Sequence, residues 1–174
     1  MIFIKQKIKD VFLIKPEPYK DDRGIFRRHF CKKEFEKNGL IASVQQCNVS
    51  ENIHKGTLRG FHYQTGSSAE AKTLSCVKGK IFDIVVDLRP NSRTFKKWIG
   101  VELNEDNRIS VHIPKGCANA FLTLKNNTFI HYYCSNKYDP EKEKGIRYND
   151  PTFKFRWPTD IKHISEKDKS HLNF

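Results

Sequence analysis

The stretch Ile81–Leu88, IFDIVVDL, decides how the chain is read. Phe82, Ile84, Val86 and Leu88 fall on one face and Asp83 and Asp87 on the other, the period of two that marks a β-strand. Working outward, Gly79 sits between Lys78 and Lys80 as a turn, which would fold the preceding strand, KTLSCV (72–77), back on its neighbour. Downstream, Ile99, Val101 and Leu103 alternate, the polar group Asn104 to Asn107 makes a turn, and Ile109, Val111 and Ile113 alternate again before Pro114 and Gly116. Cys117 to Leu124, a turn at Asn126 and Asn127, and TFIHYYC (128–134) extend the pattern, so the middle of the chain reads as successive hairpins in a meander. Helix signals are few. CKKEFEKNGL (31–40) offers Phe35, with Phe30 just before it, for an inner face and Gly39 as a stop, and a second short helix fits near the C-terminus. Short strands at regular turn spacing predict a β-sandwich, jelly roll or barrel rather than an α/β fold. Such folds hold small ligands in the mouth of the barrel.

A chain of 174 residues reads as one domain, residues 1–174. Hydrophobic residues make up 37%, and 13 Phe, 6 Tyr and 2 Trp supply bulk for a core, which excludes intrinsic disorder. No apolar run is long enough for a membrane helix, and Lys5, Lys7 and Lys9 interrupt the N-terminal stretch where a signal peptide would be continuous. The expectation is therefore a cytoplasmic protein with no membrane partner. Five cysteines (Cys31, Cys47, Cys76, Cys117, Cys134) show no C-x-x-C pair, and read as reduced, mostly buried thiols. Lys and Arg number 32 against 20 Asp and Glu, a net charge of +12. Residues 1–87 carry 16 basic and 10 acidic side chains, and residues 88–174 carry the same. A charge spread so evenly forms no basic stripe, which argues against specific nucleic-acid binding and suits anionic small molecules as well.

The densest candidate string is LRGFHYQ, Leu58 to Gln64. A regular strand would put Gly60, His62 and Gln64 on one face and Arg59, Phe61 and Tyr63 on the other. In residues 131–151, Tyr132 shares a face with Ile130 and Tyr133 with His131, so a single tyrosine hydroxyl can be aimed inward; Tyr138 sits in the loop before Pro140. Asp168, in SEKDKS, is either a surface carboxylate or a partner for a histidine. No metal site is expected. Gln64 stands where a second ligand after His62 would be, and His54, His112 and His131 are isolated in sequence. No P-loop, dinucleotide fingerprint or G-x-S-x-G elbow occurs.

Taken in order, DDRGIFRRHF (21–30), RGFHYQ (59–64), the long stretch 69–104, IPKGCANAF (113–121), YDPEKEKGIRYNDP (138–151), RWP (156–158) and SEKD (165–168) resemble the dTDP-4-dehydrorhamnose 3,5-epimerase family. The resemblance implies an all-β, cupin-type jelly roll (double-stranded β-helix) with a few short helices. It implies a homodimer that lends an N-terminal segment across its interface, no metal and no organic cofactor. The implied substrate is a nucleoside-diphospho 4-keto-6-deoxyhexose, dTDP-4-dehydro-6-deoxyglucose foremost. Removing a proton α to the ketone gives an enolate, so such chemistry needs a base on one face, an acid on the other and a positive group at the oxyanion. By position the resemblance makes His62 the base, Asp168 the carboxylate that orients it, Lys72 the enolate stabiliser and Tyr132 the acid. Arg59 and Arg23 would clasp the diphosphate. Phe26 and Tyr138 would hold the nucleoside or sugar, and Gln46 and Asn48 would line the polar part of the site. Three residues depart from the family pattern. Asn119 replaces a histidine expected beside the substrate, Arg28 an acidic residue, and Val49 a histidine. These departures bear on the nucleotide, the sugar and the choice of C3, C5 or both. A single-centre epimerase on a GDP- or CDP-linked sugar and a noncatalytic cupin binding nucleotide sugars or nucleic acid are the competing readings.

Overall fold

The computed structural model describes residues 1–174. Two sheets face each other. The first runs in the order β1 (Ile2–Lys5), β2 (Phe12–Lys15), β10 (Ser110–Ile113), β7 (Lys72–Lys78), β12 (Thr128–Cys134), β5 (Gln46–Asn52). The second runs β13 (Glu143–Gly145), β6 (Thr57–Gln64), β11 (Cys117–Thr123), β8 (Lys80–Asp87), β9 (Trp98–Asn104), with β14 (His163–Ile164) joining β6 in parallel. A hairpin of β3 (Tyr19–Asp21) and β4 (Gly24–Phe26) pairs with neither sheet.

This is the expected jelly roll, but the strands are not joined as a meander. The turn at Gly79 carries the chain from β7 in the first sheet to β8 in the second, and β9 to β10 and β11 to β12 likewise change sheets. Of these successive strands only β8 and β9 pair directly. Alternation fixes which residues share a face of a strand; it does not choose the partner strand, and a sandwich satisfies the same pattern as a hairpin stack.

The space between the sheets is filled from both sides by Leu74, Ile81, Val85, Leu103, Val111 and Ile130, all nearly or wholly buried. Ile81 and Val85 lie on the same face of β8 as Asp83 and Asp87, so that face turns inward and both aspartates are wholly buried. The opposite face, Phe82, Ile84, Val86 and Leu88, is covered by a second layer that includes Phe61, Ile146 and Phe153. Phe35 of α1 (Lys32–Lys37) packs with Phe12, Ile14 and Tyr133 on the outside of the first sheet, and Gly39, at φ +73°, follows the helix end as expected. The second helix, α2 (Glu166–Ser170), begins where Ser165 Oγ accepts the Asp168 N–H at 3.1 Å. Its one buried residue is Asp168, carried against β6.

Candidate active site

One end of the sandwich opens into two adjoining cavities of about 390 and 200 Å³. His62, Lys72 and Tyr132 line both, so they stand where the two meet. His62 comes from the second sheet; Lys72 and Tyr132 come from the first.

The geometry begins at Gly60. Its φ of +121° is open only to glycine in practice, and a Cβ there would lie 2.6 Å from the Ala120 backbone. With β6 pressed this close to β11, the Gly60 N–H donates to Asp168 Oδ2 at 3.1 Å while His62 Nε2 meets Asp168 Oδ1 at 2.7 Å. Burial pushes the Asp168 carboxyl up, but the hydrogen bond and charge of His62, with the Gly60 N–H, outweigh it and hold the group below the usual carboxylate range. An ionised Asp168 requires the proton of neutral His62 on Nε2, which leaves Nδ1 with a free lone pair.

A strict alternation along β6 would separate Arg59 from His62, and here the structure corrects the sequence reading. Asn119 pairs with His62 and Phe121 with Arg59, so three residue steps on β6 match two on β11. This bulge brings Arg59 and His62 to the same cavity. Arg59 Nε donates to Asn52 Oδ1 at 2.8 Å.

Across the cavity, β12 pairs Tyr132 with Asn48 of β5 and Leu74 of β7, and Ile130 on the same face enters the core as expected. Burial raises the Tyr132 hydroxyl above the usual phenol range, although the positive charges of Lys72 and Arg59 work against it, so the phenol is protonated at neutral pH. Lys72 Nζ lies 5.7 Å from the centre of the Tyr132 ring and 3.6 Å from Glu70. Gln46 and Asn48 line the larger cavity. Tyr138 closes its rim: its backbone N–H donates to Gln46 and its hydroxyl donates to Glu143 Oε2 at 2.8 Å. Gln64 holds that loop from behind, donating to the Lys137 carbonyl at 3.0 Å and accepting the Asp139 N–H at 2.6 Å.

Asn119 reaches the smaller cavity and donates from Nδ2 to Asp83 Oδ1 at 2.9 Å. Asp83 Oδ2 has no partner. Burial lifts this carboxyl to about 7 against the pull of Asn119 and Lys72. Arg23 and Phe26 are not brought to the cavities within one chain. They sit on the β3–β4 hairpin, Arg23 with a side chain 84% exposed and paired only with Asp21 at 2.6 Å, and Phe26 76% exposed. Arg28 pairs with Glu34 at 2.8 Å on the surface, and Val49 is exposed. Burial pushes the thiols of Cys76, Cys117 and Cys134 up to about 12, which makes them poor nucleophiles. Sequence reasoning missed Asp83, Glu143 and Asn52. Only Asp83 carried a signal, as an acidic residue inside an otherwise apolar strand.

An imidazole–carboxylate dyad on one wall and a neutral phenol on the other can take a proton from one face of a bound carbon acid and return one to the opposite face. The comparisons agree with that class of chemistry. A family profile described as dTDP-4-dehydrorhamnose 3,5-epimerase matches residues 5–174. A dTDP-4-dehydrorhamnose 3,5-epimerase from Methanothermobacter thermautotrophicus is 39% identical over 171 residues, 97% of this chain and 91% of the relative. The crystal structure of the enzyme of that name from Elizabethkingia anophelis superposes with a TM-score of 0.96 at 36% identity, covering 100% of this chain and 96% of the other. A dTDP-6-deoxy-D-glucose-3,5-epimerase from Legionella pneumophila, solved in complex with dTDP-4-keto-L-rhamnose, gives 0.93 at 36% identity, covering 99% and 92%. The chain belongs to the dTDP-4-dehydrorhamnose 3,5-epimerase family.

Proposed function

We propose that this protein epimerises a nucleoside-diphospho 4-keto-6-deoxyhexose, with dTDP-4-dehydro-6-deoxyglucose as the favoured substrate. The observation that carries the reading is the placement of the His62–Asp168 dyad and Tyr132 on opposite sheets, with Lys72 beside them. His62 Nδ1 takes the proton from the carbon α to the ketone, and Asp168 stabilises the imidazolium that results. The enolate oxygen is held by the Lys72 ammonium. Tyr132 gives its hydroxyl proton to the other face of the carbon, inverting it, and solvent returns the two groups to their starting states. Every step moves a proton and none an electron, so the scheme needs no redox cofactor. Arg59 faces the smaller cavity with a guanidinium suited to the diphosphate.

The β3–β4 hairpin gives reason to place a second copy of the chain in the assembly. Its Phe26 is 76% exposed, its Arg23 pairs only with the neighbouring Asp21, and β5 is an unpaired sheet edge. A homodimer in which each hairpin completes the other's site accounts for both. Free thiols suit a reducing compartment such as the cytoplasm, and no helix is long and apolar enough to cross a membrane. The test is incubation with dTDP-, GDP- and CDP-linked 4-keto sugars in D₂O, with deuterium located by NMR. Incorporation at C3, C5 or both is expected with the dTDP sugar, and incorporation at one carbon alone on another nucleotide would favour the single-centre reading.

A further inference from the structure

His171, just beyond α2, plays no part in the scheme above. Its Nε2 is buried without a hydrogen-bond partner and lies 3.7 Å from Asp168 Oδ1, the oxygen that already holds His62 Nε2 at 2.7 Å. The imidazole fills a space that only glycine leaves: a Cβ on Gly145 would be 2.2 Å from that nitrogen. His62 and His171 meet edge-on, with ring centres 5.9 Å apart and planes at 79°. The three ligand atoms lie within 4.8 Å of one another, and no other three such side chains converge in the molecule. Cys47 meets His131, which also packs edge-on against His29, and His54 stacks on His163, but neither group brings three ligand atoms together.

We propose that His62 Nε2, Asp168 Oδ1 and His171 Nε2 form a binding site for a divalent cation of the zinc class, and that the cation inhibits the enzyme. Zinc holds imidazole nitrogen and carboxylate oxygen at about 2.0–2.2 Å, which sets tetrahedral ligand atoms roughly 3.3 Å apart. The 2.7 and 3.7 Å separations bracket that spacing, and with all three atoms within 4.8 Å of one another the two imidazoles need approach by at most about 1.5 Å. Two imidazoles and one carboxylate suit zinc, nickel or cobalt rather than magnesium or calcium, which prefer all-oxygen sites. Of the three side chains, His62 alone lines the two cavities.

Inhibition follows from the bookkeeping of one proton. Neutral His62 carries its hydrogen on Nε2 and its lone pair on Nδ1. When Nε2 binds the cation, the hydrogen moves to Nδ1 and the imidazole stays neutral. The lone pair that must take the substrate proton is gone, and Asp168 now serves the metal. The inhibitory arm rests on the epimerase reading; the binding arm does not.

The test separates them. Zinc titration by calorimetry, and cobalt titration followed by the visible absorption of tetrahedral Co(II), should show one site per chain in the intact protein. His171→Ala should weaken zinc binding about tenfold or more and bleach the tetrahedral cobalt bands. Epimerase activity without zinc should stay within about twofold of the parent, because one hydrogen-bond-free imidazole is all that is removed. Zinc inhibition should weaken by the same factor as binding. His171→Gln, which keeps bulk at the position, repeats the measurement should the alanine variant fold poorly. Equal zinc affinity in the parent and both variants overturns the proposal and points to a surface pair, as does failure of the parent to bind zinc at millimolar concentration. Loss of binding in the variants, from a protein that exchanges no sugar proton, leaves the metal site standing and removes the epimerase reading.

Discussion

Asp83 and Asp87 lie four residues apart on the same face of the same strand, both wholly buried, and end in opposite states. Asp87 accepts Arg89 Nε at 2.8 Å, Ser92 Oγ at 2.6 Å and Thr94 Oγ1 at 2.6 Å. Burial alone would raise its carboxyl, but these donors outweigh burial and bring it down to about 2. Asp83 has only the Asn119 amide and sits at about 7. Depth does not decide the charge of a buried carboxylate; the donors that reach it do. At the Asp87 end the charge ties the loop 89–94 to the sheet. At the Asp83 end the carboxyl stands behind Asn119, and it is half-protonated near neutral pH.

Breaking the better-satisfied end should have the largest effect. Asp87→Asn removes the charge from a partly buried ion pair and leaves Arg89 with Asp10 and a backbone carbonyl, so urea unfolding at pH 7 should show a loss of about 3 kcal/mol. A loss too small to measure would mean that the donors, and not the charge, hold the loop.

Asp83→Asn should cost much less, about 1 kcal/mol or under, because it exchanges one neutral-capable hydrogen-bonding group for another. Its signature is in the pH dependence. Between about pH 4, where an unfolded aspartate ionises, and about 7, the folded chain keeps a proton that the unfolded chain has released. Stability from this group therefore falls as pH rises through that window and is level above it. Urea midpoints at pH 5 and pH 8 should show the variant gaining on the parent at the higher pH, whereas parallel behaviour would place Asp83 in the ionised state throughout.

The smallest effect is expected at the substrate. Asn119 is fixed by Asp83, so Asn119→His changes what the smaller cavity offers to the sugar while leaving the His62–Asp168 pair alone. The ratio of C3 to C5 exchange rates should move by about fivefold, the worth of one hydrogen bond of about 1 kcal/mol. An unchanged ratio on dTDP, GDP and CDP sugars would show that Asn119 serves the strand and not specificity.

The same two aspartates show what the sequence makes legible. Period-two alternation sorts the residues of β8 and β12 by face, because side-chain direction is a property of one strand, but it did not show that the Asp83 and Asp87 face of β8 is the one between the sheets. Sheet membership was not legible, since the turn at Gly79 looks the same whether the next strand pairs with the last or crosses the sandwich. The pairing of His62 with Asp168 spans 106 residues and became visible through family resemblance and not through spacing. The bulge that brings Arg59 beside His62 depends on Gly60 lying against Ala120, a contact between strands distant in the chain. Arg23 and Phe26 were expected at the site, and a single chain leaves them on an exposed hairpin. His171 carried no signal, because its place is made by the missing side chain of Gly145.

Whether proton removal and proton return fall to different residues on opposite walls is read by following deuterium incorporation and inversion separately in D₂O for the parent, His62→Ala and Tyr132→Phe, each checked for a folded state. His62→Ala should lose both. Tyr132→Phe should keep part of the base-side exchange while inversion slows by about 10²–10⁴-fold, the usual contribution of a general acid to its own step. Undiminished exchange in His62→Ala, or equal loss of exchange and inversion in Tyr132→Phe, would contradict the two-wall account.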